Sequence, residues 1–217
     1  MTGGGRRLPL AEVGRLTEAE PLFERIAIVG LGLLGVSLGL AARQVWPKAL
    51  VIGVDSNDVI ERAVRRHAID LGADDLVIAA EADLVVLAAP AAANLAWLAE
   101  LPEYVKGDCA VTDMGAKKTA IVDAARVLPS RLPFIGGDPI VYRDWLSGDA
   151  PGHIESARAD VFAGRFWMLS PVSEGQSSLT RLSQFVRGVG AIPVELPAER
   201  HDELAPYLDH LREWSGL

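Results

Sequence analysis

Gly30, Gly32 and Gly35 stand in the spacing GxGxxG directly after the apolar run Ile26 to Val29, and an acid, Asp55, follows twenty positions after the last glycine. This pattern suits a cradle for a diphosphate. The first glycine makes a tight turn, the second lets backbone approach a pyrophosphate, and the third lets helix and strand pack closely. Where the helix starts, at Leu33 and Leu34, N–H groups without helical partners and the positive end of the helix dipole would hold the anion. Asp55 would accept hydrogen bonds from ribose hydroxyls and repel a 2′-phosphate, so NAD is the expected cofactor and NADP the less favoured one. Ala89, Pro90 and Asp113 close two further apolar runs and belong on the same cofactor-facing edge. The alternative is a structural or interaction module in which the glycines only let a helix cross another backbone closely.

The elements that must position these residues follow in order. Ile26 to Val29 and Leu50 to Val54 are short apolar runs suited to buried strands, with a helix between them that Trp46-Pro47 closes. After this βαβ unit, a helix over Val59 to Ala68 places Ile60, Ala63, Val64 and His67 on one face, with His67 a surface or dipole-capping residue. Strands are expected at Leu84 to Ala88, Cys109 to Thr112, Phe134 to Gly137, Phe166 to Leu169 and Ile192 to Leu196, the last at a sheet edge because of Pro193. Helices are expected at Ala93 to Leu101 ahead of Pro102, and at Lys118 to Val127, Ile154 to Phe162 and Leu179 to Val189. A final one, Glu199 to Trp214, should kink or restart at Pro206. Asp138 to Gly152 reads as an irregular loop. The sum is an α/β fold: a Rossmann-type, doubly wound, mostly parallel sheet with a short C-terminal helical extension. Residues 1–24 form a tail with one amphipathic segment, Leu8 to Leu16; 25–197 form the dinucleotide-binding domain; 198–217 form the helical segment.

Composition narrows the partners. Hydrophobic residues make up 50% of the chain, with mean hydropathy +0.22, as in a sheet buried on both faces. A formal charge of −8 argues against nucleic acid. The uncharged stretch Ile26 to Ala42 contains four glycines and falls short of the roughly 20 apolar residues a membrane span requires. Arg6 and Arg7 lie too far upstream, with acids between, to make it a signal peptide. A cytoplasmic location without membrane contact is expected. Cys109 is the single cysteine, so no internal disulfide forms, and its place at the start of an apolar strand reads as packing. No zinc-type spacing occurs, and no metal site is expected.

The stretches IAIVGLGLLGVSLGLA, ADLVVLAAP, DMGAKK, FIGGDP, FAGRFWMLSP and HDELAPYLDHL occur, from Arg25 to Leu211, in an order and spacing that resembles the prephenate/arogenate dehydrogenase family of tyrosine biosynthesis. The resemblance implies oxidation of a small anionic cyclohexadienol. A base takes the ring hydroxyl proton, hydride passes to the nicotinamide, and carbon dioxide leaves as the ring aromatises. It also implies cofactor contacts at Gly30, Gly32, Gly35, Asp55 and Pro90.

Two catalytic positions depart from the family's pattern. Its GGHP motif reads Gly136-Gly137-Asp138-Pro139 here, and its DxGSxK reads Asp113-Met114-Gly115-Ala116-Lys117-Lys118, so Asp138 and Ala116 replace a hydrogen-bonded histidine and serine. Asp138 becomes the candidate base, although a carboxylate with reference pKa about 3.9 matches neutral pH less well than a histidine near 6.5. His153, in the following loop, is a second candidate, with an ordinary surface histidine as its alternative. Lys118 and His210 are candidate substrate-binding residues. Arg143 and Arg165 are further cations, and all three cations could equally be plain surface charges. The family continues past His210 into a helical domain that dimerises and supplies substrate-binding arginines, whereas this sequence stops seven residues later. A reduced substrate pocket is therefore expected. The apolar series Leu204, Leu208, Leu211 and Trp214 predicts self-association as a homodimer. Beside the enzyme stands a second reading, a dinucleotide-binding sensor or partner subunit without turnover.

Overall fold

The computed structural model describes residues 20–141, 154–172 and 177–213, the side chains of 208–213 excepted. Its strands are β1 (Arg25–Val29), β2 (Leu50–Val54), β3 (Leu71–Ala73), β4 (Leu84–Leu87), β5 (Ala110–Asp113), β6 (Phe134–Pro139), β7 (Phe166–Pro171) and β8 (Ile192–Glu195). The helices are α1 (Leu33–Val45), α2 (Asn57–Arg65), α3 (Ala91–Tyr104), α4 (Thr119–Ala125), α5 (Ser177–Gly188) and α6 (Ala198–Glu213). The strands form one sheet in the order β3-β2-β1-β4-β5-β6-β7-β8. Neighbours run parallel except β6 and β7.

Both faces of this sheet are covered. In β1, Ile26 and Ile28 enter one apolar cluster while Ala27 and Val29 enter the other, and all four are fully buried. That is why the strand is an unbroken apolar run. Trp46, at the end of α1, stacks on Phe185 of α5 with ring centroids 5.0 Å apart. A Cβ at Gly188 would lie 2.4 Å from the Trp46 ring, so that glycine makes room for the stack. Sheet order reverses between β1 and β4, and the crevice outside the carboxyl ends of these strands is where such sheets take ligands.

Several expectations are corrected. Helix α3 runs through Pro102 rather than stopping before it, because the missing N–H falls in the last turn and Val105 N–H still closes onto Leu101 O at 2.9 Å. Helix α6 continues through Pro206 without a restart. The helix expected over Ile154 to Phe162 is only one 3-10 turn, Ile154–Ser156. Tertiary partners capture its backbone instead: Arg158 N–H donates to Ser37 Oγ on α1, and the Arg66 guanidinium, just past α2, donates to Ala157 O. Val64 is exposed, and His67 lies past the end of α2 with φ +56°. Strand β3 and the 3-10 turn Leu76–Ala79 were not anticipated. Asp138 and Pro139 belong to β6, not to a loop. The segment Leu8 to Leu16, Arg143, His153 and Trp214 lie outside the described residues.

Cys109 is buried, and burial pushes its thiol up to about 12. The thiolate is the reactive species. A thiol-specific reagent is therefore expected to leave the folded protein unlabelled at neutral pH and to react stoichiometrically once denaturant is added; mass spectrometry before and after unfolding checks this.

Candidate functional site

The hand-over from β1 to α1 divides the three glycines by role. Gly30 has φ +99°, and a Cβ there would lie 2.5 Å from Ala89 N, so the loops after β1 and β4 touch at this point. A Cβ on Gly35 would lie 2.1 Å from Gly30 O. These two glycines are required by the turn itself. Around Gly32, by contrast, a Cβ would meet nothing within 4 Å. The open space sits over the first turn of α1, whose earliest ladder bond runs from Val36 N–H to Gly32 O. The N–H groups of Leu33, Leu34 and Gly35 precede that ladder. No side chain caps this end, and its first turn carries no acid. The first turn of α1 therefore supplies no anion of its own to its positive end.

Asp55 closes the other side of the turn. Its Oδ2 accepts from Leu31 N–H at 2.7 Å and its Oδ1 from Ser56 N–H at 2.7 Å. A cleft of about 490 Å³ opens here, lined in part by Gly30, Asp55, Ser56, Asp74, Pro90 and Trp97. Among the described residues, its charged lining groups are Asp55 and Asp74. Ala89 and Pro90 are held by Asn94, which the sequence reading missed. The buried Asn94 amide accepts from Ala89 N–H at 3.0 Å and donates to Leu87 O at 3.2 Å. The available signal was a lone amide four positions after Pro90 in an alanine-rich helix start.

A second cluster lies where β5, β6, α4 and α6 meet. Asp113 is 1% exposed; its Oδ1 accepts from Gly137 N–H at 2.9 Å, and its Oδ2 from Gly115 N–H at 2.9 Å and Lys118 Nζ at 2.5 Å. Burial pushes the Asp113 carboxyl up, against the pull of the Lys118 ammonium and the two amides. Lys118 is fully buried and also donates to Gly137 O at 2.7 Å. It is no surface charge, since its ammonium is already engaged inside the protein. Arg165 lies just before β7, beside the exit of β6. Helix α6 carries His210, whose side chain is outside the description.

Asp138 lies buried in β6 and meets His201 of α6, with Oδ2 3.1 Å from His201 Nε2. The other ring nitrogen, Nδ1, is 3.0 Å from Asp202 Oδ1. Asp202 in turn accepts from Lys118 N–H at 2.8 Å and Thr119 N–H at 3.0 Å, capping α4. Partial burial opposes the charge on Asp202, but hydrogen bonds from Lys118, Thr119 and His201 outweigh it and hold the carboxyl well below the usual carboxylate range. His201 and Asp202 were not among the expected site residues. Their signal was an imidazole-carboxylate pair at the start of the last helix.

The sheet order, the glycine turn and the acid ending β2 define a nucleotide-binding domain of the Rossmann type. The family profile described as prephenate dehydrogenase, nucleotide-binding domain, matches residues 38–195, and the chain belongs to that family. Prephenate dehydrogenase of Bacillus subtilis is 31% identical over 86% of this chain and 50% of its own length. Arogenate dehydrogenase of Synechocystis superposes with a TM-score of 0.75 at 29% identity, covering 86% of this chain and 64% of that one. Prephenate dehydrogenase of Aquifex aeolicus, solved in complex with hydroxyphenyl propionate and NAD+, gives 0.73 at 25% identity over 83% of this chain and 62% of that one. The chain spans about half the length of its Bacillus subtilis and Lactococcus lactis relatives. Among the described residues, no helix is long and apolar enough to cross a membrane.

Proposed function

We propose that the protein is an NAD-dependent oxidoreductase of the prephenate/arogenate type, acting on a small anionic cyclohexadienol. The observation that carries this reading is the open space at Gly32, set over the uncapped start of α1 and beside Asp55. Gly30, Gly32, Leu33, Leu34, Gly35, Asp55, Ala89 and Pro90 hold the cofactor, with Asp138 in the acid–base position. When bound, NAD supplies the hydride acceptor. The chain's own residues bind and orient. Amide groups of α1 take the diphosphate, and Asp55 takes the ribose hydroxyls. Family membership and the NAD+ held by the Aquifex aeolicus relative support the assignment. Aromatisation makes the reaction strongly downhill, so positioning is most of what the protein must provide.

Asp55 and Asp74 face any 2′-phosphate with like charge, so NAD is expected to bind at least about tenfold more tightly than NADP. Calorimetry with each dinucleotide checks this; equal affinities would remove the carboxylates' proposed role. Adding prephenate or arogenate to the NAD complex and following NADH absorbance tests the reaction. NADH formation with either acid supports the reading. NAD binding without turnover favours a partner subunit or sensor, the reading to which the joint change to Asp138 and Ala116 points.

The cytoplasm is the proposed location, and a homodimer through α6 the proposed assembly. Leu204 packs against Ile140 and Met168, while Tyr207 is 69% exposed. Sedimentation is expected to show a dimer at micromolar concentration; a monomer would overturn that part.

A further inference from the structure

His201 is fully buried between two carboxylates, Asp202 on its Nδ1 side and Asp138 on its Nε2 side. A neutral imidazole carries one N–H and can donate to only one of them. Asp202 is the fixed end, because two backbone amides of α4 also bind it as an anion. The hydrogen of neutral His201 therefore sits on Nδ1, leaving the Nε2 lone pair 3.1 Å from Asp138 Oδ2. Two acceptors face each other across that line, and a proton placed between them turns repulsion into a charge-assisted hydrogen bond. Among the described residues, the charged groups in contact with the ring are Asp138 from β6 and Asp202 from α6. Next to them, Lys118 of α4 and Asp113 of β5 satisfy one another as an ion pair.

We propose that Asp138 and His201 work as one base, with Asp138 meeting the substrate hydroxyl and His201, acting through it, as the positioning residue that stores the proton. This rests on the oxidoreductase reading above. In the step, the substrate O–H bond would break and its electron pair would form the carbon–oxygen double bond as that carbon gives up a hydride, which bound NAD would accept. The proton passes through the Asp138 carboxylate and ends bonded to His201 Nε2. The resulting imidazolium lies between two anionic carboxylates, a favourable final state. The carboxylate thereby hands the proton on to a second acceptor within hydrogen-bond distance.

Two measurements on the full chain test the pair. In nitrogen-15 NMR of the imidazole, His201 Nδ1 is expected to stay protonated, and Asp138→Asn is expected to change the proton occupancy of Nε2 alone. In the turnover assay, the kcat–pH profile is read for the parent protein and for His201→Gln. His201→Gln can turn an amide donor toward Asp138 but cannot store a proton. It should stay folded and retain NAD affinity, lose about 100-fold in kcat, and change the shape of the kcat–pH profile. An Nε2 proton occupancy indifferent to Asp138→Asn, or a His201→Gln protein with native kcat and pH profile, would overturn the inference. If the native protein oxidises neither dienol, the oxidoreductase reading fails, and the imidazole NMR alone decides whether the two residues share a proton.

Discussion

Gly32→Ala is expected to change thermal stability by no more than about 1 kcal/mol, the N-cap preference for glycine offsetting the entropic gain, while weakening NAD binding by roughly 100-fold, about 2.7 kcal/mol. The backbone at Gly32 has φ −68° and ψ −172°, which any residue adopts, and a Cβ there meets no atom of the protein. Replacing glycine at such a position restricts the unfolded chain and, taken alone, stabilises by about 0.4–1 kcal/mol. The new methyl group would instead stand where a diphosphate must approach the amides of α1. Gly30→Ala and Gly35→Ala provide the contrast. At Gly30 the Cβ would lie 2.5 Å from Ala89 N at a positive φ, and at Gly35 it would lie 2.1 Å from Gly30 O. Both should lose more than about 3 kcal/mol of stability and binding with it. Calorimetric titration with NAD beside thermal melts of the three variants reads the pattern. Native NAD affinity in Gly32→Ala would mean that the diphosphate does not sit on this turn.

Lys118→Met should be the most destabilising single change in the second cluster, by about 3–5 kcal/mol, because it leaves the Asp113 carboxylate buried without its cation. Two amides, Gly115 N–H and Gly137 N–H, would remain. Adding Asp113→Asn to Lys118→Met should recover part of the loss, since the orphaned charge goes with its partner. The deficit should also depend on pH, and its sign is fixed. Burial already raises the Asp113 carboxyl, and removing Lys118 raises it further. A carboxyl whose folded pKa exceeds its unfolded value makes the folded state the stronger proton binder. Its stabilising effect is complete below the unfolded value near 3.9 and fades as pH rises through the folded one. The single variant's deficit should therefore shrink on acidification. Urea unfolding of both variants across pH, with the slope unchanged, measures this; a deficit independent of pH would show that Asp113 is not the group left unpaired.

The glycine turn was legible because everything that defines it is local. Strand, turn, helix and closing acid lie within Ile26 to Asp55, and apolar period and glycine spacing report on them directly. The edge position of β8 was legible from Pro193 for the same reason. What sequence could not show is where distant residues meet. Asp138 and His201 are 63 positions apart, and Lys118 reads as any solvated cation until Asp113 and Gly137 are folded around it. Pro102 and the stretch from Ile154 went the other way. There, tertiary hydrogen bonds or a place in the last helical turn decided against local propensity.

Pro193 also bears on how the molecule behaves when crowded with its own kind. Ile192 N–H and Leu196 N–H both point inward to β7, bonding Arg165 O and Leu169 O, so the alternation turns the nitrogen of Pro193 outward, where a missing hydrogen costs the ladder nothing. At the opposite margin β3 is only three residues long, one of them Gly72. An intruding strand from another molecule would thus find a gap in the donor row on one side and too short a template on the other, so fibril growth from either margin is discouraged.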